Sequence, residues 1–231
     1  MRTEILRVEF LNKTFSQEKV LNNVSFNVFE GETLALLGAN GAGKTSLINI
    51  ISGITPMDSG KLFFRGKPVE IRSPRDAKTL GIYITHDQSC VIDTLSIAEN
   101  IFLGREDSCF VNKKKLRREA QAVMEQVGLS RKPDTPVGEL SLSEKTLVQL
   151  AAVLLARPSL LIIDESSLLC SDMEPEKLFH VLRQLNAQNT AVIYITHNIR
   201  EAIEISDRIF ILKNGVSVGI YESCLLYTSP S

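Results

Sequence analysis

The stretch G-A-N-G-A-G-K-T at residues 38–45 matches the pattern G-x-x-x-x-G-K-[ST] in full. It follows the apolar run TLALL at 33–37, which favours a strand, and it leads into KTSLINIIS, which favours a helix. Its three glycines let the backbone curl so that successive N–H groups point inward. Strand, loop and helix in this order predict a phosphate-binding loop, and they disfavour a glycine-rich connection that matches by chance.

The roles within this loop follow from its chemistry. The helix that starts near Lys44 aims its positive end at the bound phosphates, and the Lys44 ammonium would reach the β- and γ-phosphates. The Thr45 hydroxyl would hold Mg²⁺. The predicted nucleotide contacts are Gly38, Ala39, Asn40, Gly41, Ala42, Gly43, Lys44, Thr45 and Ser46.

A second polar site follows the apolar run LLII at 160–163, where Asp164 and Glu165 come in succession. In open α/β sheets ligands bind at the carboxyl ends of the strands, and alternation sends these two side chains in different directions. Asp164 suits the shell of Mg²⁺, and Glu165 is placed to take a proton from an attacking water. The alternative is a pair that only caps a following helix.

A third site follows the apolar run AVIYI at 191–195, which ends at Thr196-His197. A histidine at the end of a neighbouring strand can hydrogen-bond a γ-phosphate. A lone histidine is more often structural, so only its place in this series favours the functional interpretation. The predicted catalytic residues are thus Glu165 and His197.

The apolar runs alternate with helical patterns, which predicts an α/β layered fold with a largely parallel sheet. The stretch of about 86–158 is mostly helical and predicts a helical subdomain. Further strand-like runs lie at 5–10, 24–28 and 209–212, and helix-like patterns at 44–52, 113–127, 143–156, 174–187 and 199–206.

Bulk properties limit the partners. The net charge of −1 gives no reason to expect a nucleic acid or an anionic lipid. The most apolar segment, 146–156, is too short to span a bilayer, so a membrane connection would go through another protein. The four cysteines are scattered and fit a reducing cytoplasm.

The order of phosphate loop, helical insertion, "LSLSE", "LLIIDE" and "ITH" resembles ABC-type ATPases. The segments "GANGAGKTSL", "SGKLFFRGKPVEIRSPRDA", "TLSIAENIFLGRE" and "VGELSLSEKTLVQLA" resemble the ATP-binding subunits of bacterial importers for ribose, galactose and xylose. The resemblance covers about residues 4–222. It implies a P-loop NTPase of the ABC ATPase type, with a mixed sheet core, an antiparallel β portion and a helical subdomain at about 86–158.

The resemblance also implies a function and its partners. Such subunits bind ATP and Mg²⁺, and two domains close around two ATP molecules to drive a transmembrane permease. A periplasmic sugar-binding protein takes part indirectly, no nucleic acid is expected, and the place is the cytoplasmic face of the inner membrane. These subunits usually carry two domains in tandem, so residues 1–222 look like the N-terminal one. The tail at 223–231 fits no pattern and is either a frayed terminus or non-native sequence.

The segment "LSLSE" at 140–144 takes the place of the family's signature motif, usually L-S-G-G-Q. Ser141 and Glu144 have the spacing of a capping box, so a plain capped helix is one interpretation. The resemblance adds that Ser141 faces the γ-phosphate held by a partner domain. Leu142 and Ser143 replace the glycines and hinder close approach of the backbone, and Glu144 adds a negative charge.

Three further positions bear on activity. The family's metal-sensing glutamine corresponds to Asp87, or is displaced to Gln88, so Asp87 is a predicted metal ligand. Phe15 takes the place of the aromatic residue that stacks on adenine, with a core role as the alternative.

The segment 166–171 departs from the family pattern. These departures leave open a degenerate domain that binds ATP and dimerises in a regulatory role with little hydrolysis. A GTPase is disfavoured because no N-K-x-D motif is present.

Overall fold

The computed structural model describes residues 2–85, 91–103, 113–164 and 175–223. The chain divides into two compact units. The first comprises Met1–Ile84, Pro158–Glu165 and Asn186–Ser231, and the second comprises Thr85–Arg157 and Ser166–Leu185. Of the predicted tail at 223–231, residues 224–231 lie outside the described residues, and the predicted domain boundaries stay predictions.

Ten strands and seven α-helices are assigned within the described residues. The strands are β1 Glu4–Phe15, β2 Glu18–Phe29, β3 Thr33–Leu37, β4 Ser59–Phe64, β5 Lys67–Val69, β6 Ile82–Thr85, β7 Leu160–Asp164, β8 Ala191–Thr196, β9 Arg208–Lys213 and β10 Val216–Glu222. The helices are α1 Lys44–Ile51, α2 Pro74–Thr79, α3 Ile97–Phe102, α4 Lys113–Gln126, α5 Leu142–Ala156, α6 Pro175–Ala187 and α7 Ile199–Ile205.

A six-stranded sheet in the order β10-β9-β3-β8-β7-β6 forms the centre of the first unit. Strand β3 runs parallel to β8 and β9, β7 runs parallel to β8, and β10 pairs antiparallel with β9. Every residue of β8 is buried, as are the first four residues of β3 and of β7. Near-continuous apolar strands of this kind are typical of parallel sheets covered on both faces.

A second, antiparallel sheet in the order β2-β1-β4-β5 packs into the same core. Its long hairpin turns at Ser16 and Gln17, both of which have positive φ. The rings of Phe26 in β2 and Phe210 in β9 stack with centroids 4.8 Å apart, which joins the two sheets. Helix α1 buries Leu47, Ile48, Ile50 and Ile51 in this core.

The second unit is mainly helical. Helices α3, α4 and α5 pack on one another, burying Ile97, Ile101, Met124, Leu147 and Leu150. A single 3₁₀ turn, Val137–Glu139, precedes α5. Among the described residues, no helix is both long enough and apolar enough to cross a membrane.

The predicted fold class is confirmed: a mixed sheet is combined with an antiparallel β portion and helices. The expectation of a largely parallel sheet holds for the inner strands of the six-stranded sheet and is wrong for β1, β2, β4 and β5. Strand β4 reads SGKLFF and β5 has only three residues, so neither gives a clear apolar alternation. Strand β4 is determined by its pairing with β1, and β5 by its pairing with β4, rather than by local pattern.

Candidate nucleotide-binding site

The predicted phosphate loop connects β3 to α1, and two of its glycines, Gly38 and Gly43, are required by the packing around it. Gly43 is the N-cap of α1 with φ of 100°, and a Cβ there would lie 2.8 Å from the Leu21 side chain and 3.0 Å from the Val20 carbonyl oxygen. A Cβ at Gly38 would lie 2.5 Å from the carbonyl oxygen of Leu212. The loop is therefore closely packed against β2 and β9, and only glycine fits at these two positions.

The helix start is left without a capping side chain, which suits an anion. No side chain caps the N-terminus of α1 at Gly43, although most helix starts use a serine, threonine or aspartate oxygen there. The first N–H groups of a helix have no acceptor within the helix and attract phosphate. Packing around Gly43 thus keeps a side chain from taking the place of a ligand.

Lys44 lies over the loop that precedes it. Its Nζ donates hydrogen bonds to the carbonyl oxygens of Gly38, at 2.6 Å, and Ala39, at 3.1 Å. Thr45 is exposed, and Lys44 and Ser46 are half-buried. The ammonium group is thereby held at the mouth of the loop, where a bound phosphate oxygen would be a further acceptor.

The register of the sheet brings the three predicted polar sites to one edge. Leu37, which precedes the loop, pairs with Thr196, and Asp164 pairs with Ile195. Strand β8 lies between β3 and β7, so the exposed His197 follows the strand between the loop and the half-buried Asp164. All three lie at carboxyl ends of adjacent parallel strands, where ligands bind in such sheets.

The oxygen atoms at this edge fit a magnesium ion. Mg²⁺ is usually bound through one or two carboxylates, waters and substrate phosphates, so the Thr45 hydroxyl and Asp164 carboxylate are suitable ligands. Within the described parts of the chain, no group of three or more histidine, cysteine, aspartate or glutamate residues could hold a metal ion. Glu165 and Asp87, also assigned from the sequence, lie outside the described residues, as does Gln88.

Phe15 ends β1 at the tip of the long hairpin and is 42% exposed. This exposure disfavours the alternative of a core residue. The Lys13 ammonium lies 5.1 Å from the ring centroid and is held by Asp58 at 2.9 Å. The same hairpin contributes Val20 and Leu21, which pack against the phosphate loop at Gly43.

The predicted signature position is a capped helix start in the second unit. Ser141 is the exposed N-cap of α5, and its hydroxyl oxygen accepts the Glu144 N–H at 3.3 Å. The Glu144 carboxylate accepts the Ser141 N–H at 2.9 Å, so the capping box is complete. Leu142 is 41% exposed.

The sequence did not reveal that Glu144 has an ionic partner. Arg131 donates from Nε to Oε1 of Glu144 at 2.7 Å and from Nη2 to Oε2 at 3.3 Å. The hydrogen bond from Arg131 holds the pKa of Glu144 below its usual range, and the same hydrogen bond raises the pKa of Arg131. Nothing in the local pattern around Arg131 indicates this pairing, because thirteen residues separate the two side chains.

Comparison with known proteins gives the family. Residues 21–167 match the family described as ABC transporter. The chain is 37% identical over 214 residues to a ribose import ATP-binding protein of Caldanaerobacter subterraneus, covering 91% of this chain and 43% of that protein. A putative ribose/galactose/methyl galactoside import ATP-binding protein of Albidiferax ferrireducens is 35% identical over 221 residues, covering 94% of this chain and 44% of that protein. The chain thus spans less than half the length of these curated relatives.

Solved structures agree with this result. An ATP-binding cassette of an ABC transporter in its ADP conformation has a TM-score of 0.82 and 25% identity, over 95% of this chain and 91% of that chain. The cbiO1 protein of Clostridium perfringens, part of an ABC transporter complex, also has a TM-score of 0.82 and 25% identity, over 98% and 92%. The predicted resemblance is confirmed, and the chain belongs to the ABC transporter family with the fold of its ATP-binding cassettes.

Proposed function

We propose that this domain binds and hydrolyses Mg-ATP and that it powers the import of a monosaccharide across a bacterial inner membrane. The observation that carries the proposal is the phosphate loop, with Lys44 held over it and an uncapped helix start behind it. Asp164 and His197 follow neighbouring strands at the same edge of the sheet. A single ligand with a triphosphate chain would use all of these groups.

The proposed roles follow from the chemistry of each side chain. Lys44 neutralises the charge of the β- and γ-phosphates, and the backbone N–H groups of residues 38–46 bind their oxygens. Glu165 accepts the proton of the attacking water, and His197 hydrogen-bonds the γ-phosphate. Phe15 stacks on adenine from the tip of the hairpin. Thr45 and Asp164, with Asp87, would hold Mg²⁺, which supplies charge neutralisation on the phosphate oxygens.

We further propose that hydrolysis needs a second ATPase domain, which in the longer relatives would belong to the same chain. Ser141 at the start of α5 would contact the γ-phosphate bound by that domain. Residues 1–222 form one ATP-binding domain in this proposal, and the helical subdomain at about 86–158 docks the permease on the cytoplasmic face of the membrane. The tail at 223–231 has no assigned role.

The proposed substrate class rests on the relatives. The matched proteins are named for the import of ribose, galactose or methyl galactoside. A periplasmic sugar-binding protein would deliver the sugar to the permease, and the ATPase domain would not contact it. Sugar uptake by cells that carry this domain with its permease, measured with several labelled monosaccharides, tests the substrate class.

A first experiment tests nucleotide binding. Lys44→Ala removes the cation that lies over the loop and should weaken Mg-ATP binding by tenfold or more, since a hydrogen bond to a charged group contributes about 1.5–3 kcal/mol. Lys61→Ala removes an exposed lysine from β4 and is the matched control. Calorimetric titration gives both affinities. Equal affinities for the two variants would contradict the assignment of the loop.

A second experiment separates binding from hydrolysis. Glu165→Gln keeps the shape of the side chain and removes the proton acceptor, so hydrolysis should nearly stop while Mg-ATP affinity is retained. The rate is measured in the presence of the permease and the partner domain. If this variant turns over like the parent, another residue is the base, and Asp87→Asn is the next variant to measure.

A further inference from the structure

The carboxylate of Glu201 joins the end of β8 to the helix that follows His197. Its Oε1 accepts a hydrogen bond from the Tyr194 hydroxyl at 2.6 Å, and its Oε2 accepts one from the Thr196 hydroxyl at 2.9 Å. Tyr194 and Thr196 are each only 1% exposed, and Glu201 is half-buried. Both carboxylate oxygens are therefore committed to the strand that ends just before His197.

The residue after His197 is tied to the same group. The backbone N–H of Asn198 donates to the Thr196 hydroxyl oxygen at 3.0 Å. The Asn198 side-chain oxygen accepts the Arg200 N–H at 3.0 Å and the Glu201 N–H at 3.5 Å, which caps α7. Both neighbours of His197 in the chain are thus held by a network that converges on Glu201.

This hydrogen-bond network should restrict the position of the backbone around His197. Hydrogen bonds to an ionised carboxylate are stronger than those between neutral groups, and buried donors are costly when they lose an acceptor. The side chains of His197 and Asn198 are exposed at the sheet edge, whereas Tyr194 and Thr196 are buried and Glu201 is half-buried. The exposed side chain of His197 therefore extends from a backbone segment whose two neighbouring residues are hydrogen-bonded.

We propose that Glu201 is a positioning residue that sets the place of His197 at the nucleotide site. This inference rests on the proposed function, in which His197 hydrogen-bonds the γ-phosphate. Glu201 itself contacts no nucleotide in this proposal. A displacement of about 1 Å of a group in an active site can lower the rate by as much as about a hundredfold. Loss of the hydrogen bonds to Glu201 should therefore lower the rate of ATP hydrolysis.

A direct test observes the histidine itself. The chain has three histidines, so carbon-13 NMR of labelled imidazoles resolves His197 once His197→Gln has assigned its signal. Glu201→Gln should shift or broaden the His197 signal and leave that of His180, in the second unit, unchanged. Glu204→Gln makes the same substitution at an exposed position of the same helix and should move neither signal. An unchanged His197 signal in Glu201→Gln would overturn the proposal.

A second test uses ATP hydrolysis by the assembled transporter. Glu201→Gln should lower kcat about tenfold or more, with the KM for ATP within about twofold of the parent, since only the placement of His197 changes. Tyr194→Phe keeps the ring in the core, removes one hydroxyl donor and should give a smaller decrease in kcat. A lower Tm with unchanged kcat in both variants would assign Glu201 a structural role only and overturn the proposal. A parent chain that does not hydrolyse ATP would contradict the proposed function. The NMR result would still show whether Glu201 positions His197.

Discussion

Two helices of the second unit begin with the same four-residue pattern, Ser-x-x-Glu, and the structure gives them different environments. Helix α3 begins with Ser96 and Glu99, and α5 begins with Ser141 and Glu144. Both form complete capping boxes in which the serine oxygen accepts a backbone N–H and the glutamate accepts another. Local structure at the two starts is thus the same.

The difference lies in what else the two boxes bind. Glu99 also accepts the Ser96 hydroxyl at 2.7 Å, so that box is closed on itself. Glu144 is instead held by two hydrogen bonds from Arg131, and the Ser141 hydroxyl lies 3.0 Å from that of Ser143. A capping box can thus serve the helix alone, or it can expose a serine hydroxyl beside a carboxylate whose charge is paired with an arginine.

The two helix starts are also connected through the backbone. Val137 N–H donates to the Leu95 carbonyl, and Ile97 N–H donates to the Thr135 carbonyl, both at 2.9 Å. The Lys145 ammonium in α5 binds the Asp93 carboxylate at 2.7 Å. The residues that follow Arg131 therefore hydrogen-bond to the start of α3 and then lead into α5. Because the two capping boxes share this local structure, each is a control for substitutions in the other.

The largest expected effect separates the two serines. Ser96→Ala and Ser141→Ala should each cost about 1 kcal/mol of stability, because each removes an N-cap oxygen. Only Ser141→Ala should also lower ATP hydrolysis by the assembled transporter, by roughly tenfold or more, since a hydrogen bond to a charged phosphate contributes about 1.5–3 kcal/mol. Thermal unfolding and steady-state hydrolysis are measured on both variants. Equal losses of activity would mean that Ser141 is only a helix cap.

A smaller effect concerns the charge beside Ser141. Arg131→Gln leaves Glu144 uncompensated and should weaken the ATP-dependent dimer of the Glu165→Gln variant severalfold, because a like charge then opposes the phosphate. Glu144→Gln keeps the capping box and should not weaken the dimer. Sedimentation with and without Mg-ATP measures both.

A double variant and a substitution in the capping box of α3 serve as controls for this experiment. Arg131→Gln combined with Glu144→Gln should return the dimer to near the parental affinity, because neither charge remains. Glu99→Gln should have no effect. If Arg131→Gln alone leaves the affinity unchanged, the charge of Glu144 does not reach the phosphate, and its compensation has no role in dimerisation.

The sequence predicted the local features of these sites but not their tertiary contacts. The pattern Ser-x-x-Glu predicted the cap of α5, and the phosphate loop predicted the turn between β3 and α1, because both depend on residues close in sequence. The compensation of Glu144 by Arg131 and the hold of Glu201 on Thr196 required the tertiary structure. The expectation that Glu144 adds an opposing charge is thereby revised, since the charge has a partner.

The long hairpin shows a second limit. The sequence indicated strands at 5–10 and 24–28, whereas β1 and β2 have 12 residues each. Polar residues such as Asn12 and Asn23 interrupt the apolar alternation, yet they hydrogen-bond each other across the pair. Cross-strand contacts of this kind extend a strand beyond its local propensity, so its ends could not be predicted.

The smallest expected effect is a difference in titration between the two boxes. The hydrogen bond from Ser96 lowers the pKa of Glu99, and the hydrogen bond from Arg131 is the main cause of the lowered pKa of Glu144. A carboxyl whose pKa is lowered by folding adds stability above its unfolded pKa, and this contribution is lost as pH falls through the folded-state pKa. Arg131→Gln should therefore raise the pKa of Glu144 toward its usual range and leave that of Glu99 unchanged. Carbon-13 NMR of the glutamate carboxyls measures both values, and because the Arg131–Glu144 pair is exposed the shift should shrink with added salt. A Glu144 pKa that stays low in Arg131→Gln would mean that the capping box alone accounts for it, and the two boxes would then be electrostatically equivalent.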